Sequence, residues 1–544
     1  MTRDTSVISE ESTKPSRRNV LKAAAWAPPL AAAAGGLHIA HGLAKSANAQ
    51  TMDMTELGAQ DAVSHIKSGD ISAEAYMSAL LKHHEAHKNL NAFITLNEDR
   101  VLQEARAVDQ ARTRGETLGP LAGLPVVIKD QIDVAGYPTT VGSNVLHGYI
   151  AQKNAVVVET MVKAGAVMMA KTAMSDLITG GGSGRYFPTP RNPYDVSRVT
   201  GGSSTGVGAA IGARIAPAGI GEDSYGSIRW PSAWCGIAGL RPSGYAMENY
   251  LNGTDRKRYS GIGMVPPTNW VDTMGPMART VADVAFLDTA ITGESVPRVN
   301  LRGARLGIPR ADYWEERPHD PLVRKTIEAG FAKLREAGAV LVEVDLNGLI
   351  ELSEKDRLSP AVAADRDPEM VKWLAENHPS VTIKDIQEQR ANNRRDIEPR
   401  NYVRSVAPPP VRPNLSPDEE KKMVGAAWEH YSGAFKNHSI VALAMPTLMI
   451  LPSYVNFNGY TRAQKILVNG EWVEEWDLIL TNIWWTTPFG APALSLPAGL
   501  ASGLPVGLQL QGMPGSDSAI LGLGLEVEKV LGELPPPTFR HVPL

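Results

Sequence analysis

The sequence has a single cysteine, Cys235. No disulfide can form within the chain, and no cysteine-built zinc or iron–sulfur site is available to it. A basic excess is missing too. Lys and Arg number 54 against 58 Asp and Glu, a formal net charge of −4, so no positive field points to nucleic acid. Beyond residue 50 no apolar run reaches 18 residues, which excludes a transmembrane helix by that pattern. A phosphate-binding G-x-x-x-x-G-K-[ST] loop is absent. "GVGAAIG" (Gly206 to Gly212) places its last glycine one position too late for G-x-G-x-x-G and reads as a helix-packing segment. "HHEAH" puts His83 and His87 one helical turn apart, but the spacing fails the His-Glu-x-x-His rule. A solvated helix face is the better reading, and no metal or other cofactor is expected. Finally, no histidine lies within fifty residues of Ser227, so a serine nucleophile there needs a base of another kind.

What is present is a long chain, 544 residues and 43% hydrophobic, ample for a large core. Residues 1–49 differ from the rest. "SRRNVLK" precedes a weakly apolar stretch and small residues at Ala47 and Ala49. This reads as a secretory signal of twin-arginine type carrying Arg17 and Arg18, with a periplasmic or secreted location. A disordered basic tail is the alternative. The segment carries +3, from six Lys/Arg and three Asp/Glu, so its removal leaves a chain near −7.

Along residues 50–544, helical and strand patterns alternate. "AEAYMSALLKHHEAH" spaces its apolar residues as a helix, and "PVVI" is a β-branched run that reads as a buried strand. "NAVVVETMVKAGAVMMAKTAM" and "VGAAIGARIAPAGIGED" each read as a helix followed by a strand. The expectation is one α/β catalytic domain, a mixed β-sheet flanked by helices on both faces. Residues at about 350–440 are charged and rich in Pro and Arg, and are expected to be a helical and loop insertion.

Three residues supply chemistry. Lys129 ends the apolar strand "PVVIK", where burial can lower its pKa and free a neutral amine to act as a base. Its other reading is a lysine snorkelling from the strand end or paired with Asp130. Ser203 lies in "GGSS" and Ser227 in "YGSIR". Serine before a helix is also a common N-cap. "GSSTG" with Ser204 at its centre fits G-x-S-x-G, but the proline-broken "PTPRNPYDVSRVT" before it reads as loop rather than the strand an elbow needs. Together Lys129, Ser203 and Ser227 offer a base, a relay and a nucleophile without histidine.

These residues sit in "LAGLPVVIKD", "RNPYDVSRVTGGSS", "GSIRWPSAWCGIAGLRPS", "DTMGPMARTVADVA" and "GAPALSLPAG". Over nearly all of residues 50–544 the chain resembles the amidase signature family of serine hydrolases. The resemblance implies Lys129 as catalytic lysine, Ser203 as a bridging serine after a cis peptide bond, and Ser227 as nucleophile. It implies an acyl-enzyme, and an oxyanion hole from the N–H groups of Ser224, Tyr225, Gly226 and Ser227. Such donors contribute about 3–4 kcal/mol each in the transition state. The family pattern "TDTGGS" stands as "EDSYGS" here, so Tyr225 replaces a small residue and bears on specificity. Asp223 and Arg229 are expected to pair and hold the loop.

The implied function is metal-independent hydrolysis of a carboxylic amide to acid plus amine or ammonia. A carbamate or ester hydrolase would use the same triad. An amidotransferase subunit or an exported non-enzymatic binding protein fits the sequence less well. Partners are expected to be small-molecule amides, with no nucleic acid and no membrane in the mature form; a homodimer is compatible. An aryl or bulky apolar amide is favoured by aromatic residues near the expected site. Tyr225, Trp230 and Trp485 are the expected substrate contacts, with Trp234, Trp472, Trp476, Trp484 and Phe489 nearby and about half of the group expected in the core.

Overall fold

The computed structural model describes residues 52–175, 186–244, 258–265, 272–315, 317–346, 349, 366–389, 417–455, 465–483 and 486–540. The expected signal at 1–49 lies outside the described residues.

The strands are β1 (Phe93–Leu96), β2 (Pro125–Lys129), β3 (Val167–Thr172), β4 (Arg191–Asn192), β5 (Asp195–Val199), β6 (Ala218–Asp223), β7 (Ala238–Arg241) and β8 (Thr273–Ala278). They continue as β9 (Arg305–Ile308), β10 (Val340–Glu343), β11 (Ala442–Pro446), β12 (Lys465–Val468), β13 (Glu471–Glu474), β14 (Ala493–Ala501) and β15 (Leu504–Gln511). Eleven of them form one sheet in the order β1-β3-β2-β6-β8-β7-β14-β15-β11-β9-β10. The sheet is mixed. β2 is parallel to both its neighbours, β3 and β6. β8 runs antiparallel to β6, and β14 antiparallel to β15.

All five residues of β2 are buried, as its continuous β-branched run requires of a central strand covered on both faces. Successive side chains of a strand point to opposite faces. Val126 and Ile128 accordingly join one apolar core and Val127 the other. The helices Ala73–Ala86, Glu98–Thr113 and Thr205–Gly212 pack into the core that holds Val127. Every residue of Thr205–Gly212 is buried, which only a helix of small residues achieves so close to the sheet.

The opposite core takes the helices Val156–Lys163, Val281–Thr292 and Pro321–Glu336. The last begins with Asp320 as N-cap and a proline at its first position, where a missing N–H costs nothing. It buries Val323, Ile327, Phe331 and Leu334 along one stripe, each contributing about 1.5–3 kcal/mol by removal from water. Truncating Phe331 to alanine costs about 3–5 kcal/mol. The expected α/β fold with helices on both faces is what forms.

Two local expectations are corrected. "PTPRNPYDVSRVT" reads as loop, yet it holds the antiparallel pair β4–β5, in which Arg191 faces Val199. The face carrying His83 and His87 is packed as well as solvated. His83 Nε2 lies 2.9 Å from the Ala213 carbonyl, and the His87 ring stacks on Phe539 at 4.1 Å. In the expected insertion the described residues contain the helices Arg366–Asn377 and Pro417–His438, and no strand among the described residues lies between β10 and β11.

Candidate active site

β2 and β6 are parallel neighbours, so their C-terminal ends emerge side by side. Lys129 closes β2, and Glu222 and Asp223 close β6. The peptide bond Gly202–Ser203 is cis, as the resemblance implied. Ser203 leads into the helix Thr205–Gly212, and its carbonyl accepts from Ser175 N–H at 3.2 Å. Ser227 lies in the turn between β6 and the helix Arg229–Cys235. One main-chain bond, Ser204 N–H to the Ser227 carbonyl at 3.2 Å, ties the two serine loops together.

Lys129 is fully buried. Its Nζ donates to Ser203 Oγ at 2.7 Å, to Glu222 Oε2 at 2.6 Å and to the Glu222 carbonyl at 3.3 Å. Burial pulls the ammonium below the usual lysine range, while the Glu222 carboxylate pushes the other way. Burial likewise raises the Glu222 carboxyl, against the pull of Lys129. Both partners are driven toward their neutral forms by the same cause, the loss of solvation on burial. Lys129 is therefore not paired with Asp130. Asp130 accepts from Thr140 N–H at 3.0 Å and Gly142 N–H at 3.1 Å, and its cation is Lys171 at 3.6 Å.

Asp223 folds the turn that carries Ser227. Its carboxylate accepts from Gly226 N–H at 2.7 Å and Ile228 N–H at 3.1 Å, and from Arg229 Nε and Nη2 at 3.0 Å each. Burial would raise this carboxyl, but Arg229 and Arg241 hold it well below the usual carboxylate range. The expected Asp223–Arg229 pair is present. Gly226, at φ +105°, has no room for a side chain, since a Cβ would lie 2.2 Å from Ile483.

The geometry revises part of the expected site. The Gly226 N–H, expected in the oxyanion hole, is taken by Asp223. Ser224, Tyr225 and Ser227 lie on the same turn; Ser224 is buried and the other two half-buried. Trp230, expected at the substrate, is 2% exposed and belongs to the core. It meets Trp234 edge-on at 5.3 Å and backs the serine loop, for a Cβ on Gly201 would lie 2.5 Å from its ring. Trp234 and Phe489 are core as well, and Trp472 is exposed on the β12–β13 hairpin. Trp484 and Trp485 lie outside the described residues, as does the side chain of Trp476.

Sequence reasoning missed Glu222, Ser224's hydroxyl and Asp272. Ser224 Oγ contacts Glu222 Oε1 at 2.8 Å and also Asp272 Oδ1. A signal was available, since Glu222 adjoins Asp223 at the end of an otherwise apolar strand, where two carboxylates demand partners. Among the described residues no group of His, Cys, Asp and Glu is placed to hold a metal ion, and no helix among them is long and apolar enough to cross a membrane.

Comparison with known proteins places the chain in a family. The Amidase family model matches residues 75–521. The chain is similar to mandelamide hydrolase of Pseudomonas putida, 29% identical over 92% of this chain and 96% of that one. It is also similar to a glutamyl-tRNA(Gln) amidotransferase subunit of Moorella thermoacetica, 31% identical over 86% of this chain and 96% of that one. Among solved structures, a crystal structure of an amidase superposes with a TM-score of 0.71 at 26% identity, covering 88% of this chain and 100% of the other. A peptide amidase bound to the competitive inhibitor chymostatin gives 0.69 at 25%, covering 89% and 99%. The chain belongs to the amidase signature family, whose members hydrolyse amide C–N bonds.

Proposed function

We propose that the protein hydrolyses an aryl or bulky apolar carboxylic amide through an acyl-enzyme on Ser227. The observation that carries the mechanism is the 2.7 Å bond from Lys129 Nζ to Ser203 Oγ, both side chains being buried. In its neutral form Lys129 takes the Ser203 proton as Ser203 takes that of Ser227. The Ser227 oxygen then attacks the amide carbon, and N–H groups of the turn stabilise the oxyanion. The relay returns the proton to the departing nitrogen, and water releases the acid.

Similarity to mandelamide hydrolase and the aromatic Tyr225 on the turn support the substrate class. The expected help from Trp230 is withdrawn by its burial. The amidotransferase reading is favoured by one observation, the 31% identity to the Moorella thermoacetica protein. It calls for glutamine as the amide donor.

The test is a screen of phenylacetamide-type amides, acetamide, glutamine, carbamates and esters, with a fluorophosphonate probe read by mass. The expected result is a higher kcat/KM for the aryl amide and a single label on Ser227. Ser227→Ala and Lys129→Met should each fall below about a hundredth of wild-type turnover. Equal kcat/KM for acetamide and the aryl amide overturns the substrate class. Retained turnover in Ser227→Ala overturns the mechanism.

A further inference from the structure

Glu222 is the penultimate residue of β6. It places a fully buried carboxyl in direct contact with the lysine of the relay, at 2.6 Å. Its second oxygen receives Ser224 Oγ at 2.8 Å, and the same hydroxyl meets Asp272 Oδ1. One buried hydroxyl thus links the carboxyl groups of Glu222 and Asp272.

The surrounding charges are otherwise matched. On β6, Asp223 is engaged by Arg229 of the following helix and Arg241 of β7. Beyond β2, Lys171 of β3 faces Asp130. Asp272 immediately precedes β8. Among the described residues, Glu222 is the carboxylate in ion-pair contact with Lys129.

We infer that Glu222 is a positioning residue that governs when Lys129 gives up its proton, so that the working base is the buried Lys129–Glu222 pair, extended through Ser224 to Asp272. This rests on the proposal that Lys129 is the base. With the carboxylate in place, the charged lysine is supported against the cost of burial, and a proton passes between the two groups without creating net buried charge. Without it, burial alone acts on Lys129 and frees the neutral amine at lower pH.

The experiment is the pH profile of kcat/KM for wild type, Glu222→Gln and Glu222→Thr, with folding checked by thermal melting. Threonine removes the carboxyl and shortens the side chain, and glutamine keeps the shape and one acceptor. In both variants the limb that rises with pH should move to lower pH by about one to three units. Lys129→Met tests the underlying reading separately, because it should abolish the limb altogether. If Lys129→Met does so and a folded Glu222 variant loses rate equally at every pH with the limb unmoved, the role of Glu222 is overturned while the base assignment stands. If Lys129→Met retains the limb, the base assignment fails first.

Discussion

Asp223 and Arg229 meet through two bonds of 3.0 Å, both side chains fully buried, six residues apart across the turn that presents Ser227. The pair makes the turn a rigid element rather than a flexible glycine loop. Three main-chain N–H groups, those of Gly226, Ile228 and Arg229, bond to the same carboxylate.

Replacing Asp223 by asparagine should therefore cost more than the loss of one hydrogen bond. It leaves the guanidiniums of Arg229 and Arg241 buried without their counter-charge. Breaking such a pair costs about 3–5 kcal/mol. Urea unfolding should show a loss of that size. Because the turn carries Ser227, the proposed nucleophile, kcat should fall in the protein that remains folded. A change in unfolding free energy below about 1 kcal/mol would show that the ion cluster does not hold the turn.

Glu528 offers a pH effect on stability away from the site. It accepts from Val281 N–H at 2.6 Å and Ala282 N–H at 3.3 Å, at the start of the helix Val281–Thr292. Burial pushes its carboxyl up to about 7 from 4.5, against the pull of those two N–H groups. Between these values the folded chain holds more protons than the unfolded one, so stability falls as pH rises through the window. The full effect is on the order of 3 kcal/mol, at about 1.4 kcal/mol per unit. Glu528→Gln should narrow the gap between urea midpoints measured at pH 4.5 and pH 8. An unchanged gap would assign that pH dependence elsewhere.

Residues 1–49 are expected to direct twin-arginine export and to be removed. Changing Arg17 and Arg18 together to lysine should leave full-length precursor in the cytoplasm, as read by fractionation and N-terminal sequencing. Export and cleavage of the double variant at the normal rate would contradict the assignment.

The sheet is legible where pattern and burial coincide. "PVVIK" is apolar up to its last residue because β2 is covered on both faces, and the helix–strand alternation from Val156 to Asp223 follows from the same periodicities. Lys129 and Ser203 stand out in the sequence because each breaks a local rule: a charge at an apolar strand end, and a serine in a glycine run. Trp230 misleads because closeness in sequence to Ser227 says nothing about which side of a helix faces the ligand. Its ring turns inward under Gly201. Glu222 escapes notice for the reverse reason. Its partner is 93 residues away on the neighbouring strand, a relation that exists only once β2 and β6 are paired.

The bond from Ser204 N–H to the Ser227 carbonyl has a practical consequence. It is made by main chain alone, so trimming the Ser227 hydroxyl removes none of its atoms. Ser227→Ala should thus keep the spacing of the two loops and the receptor shape while being unable to turn over. Such a protein is a trap. Incubated with a mixture of amides and washed, it retains the one that fits, and the natural substrate can be eluted and weighed without being guessed beforehand.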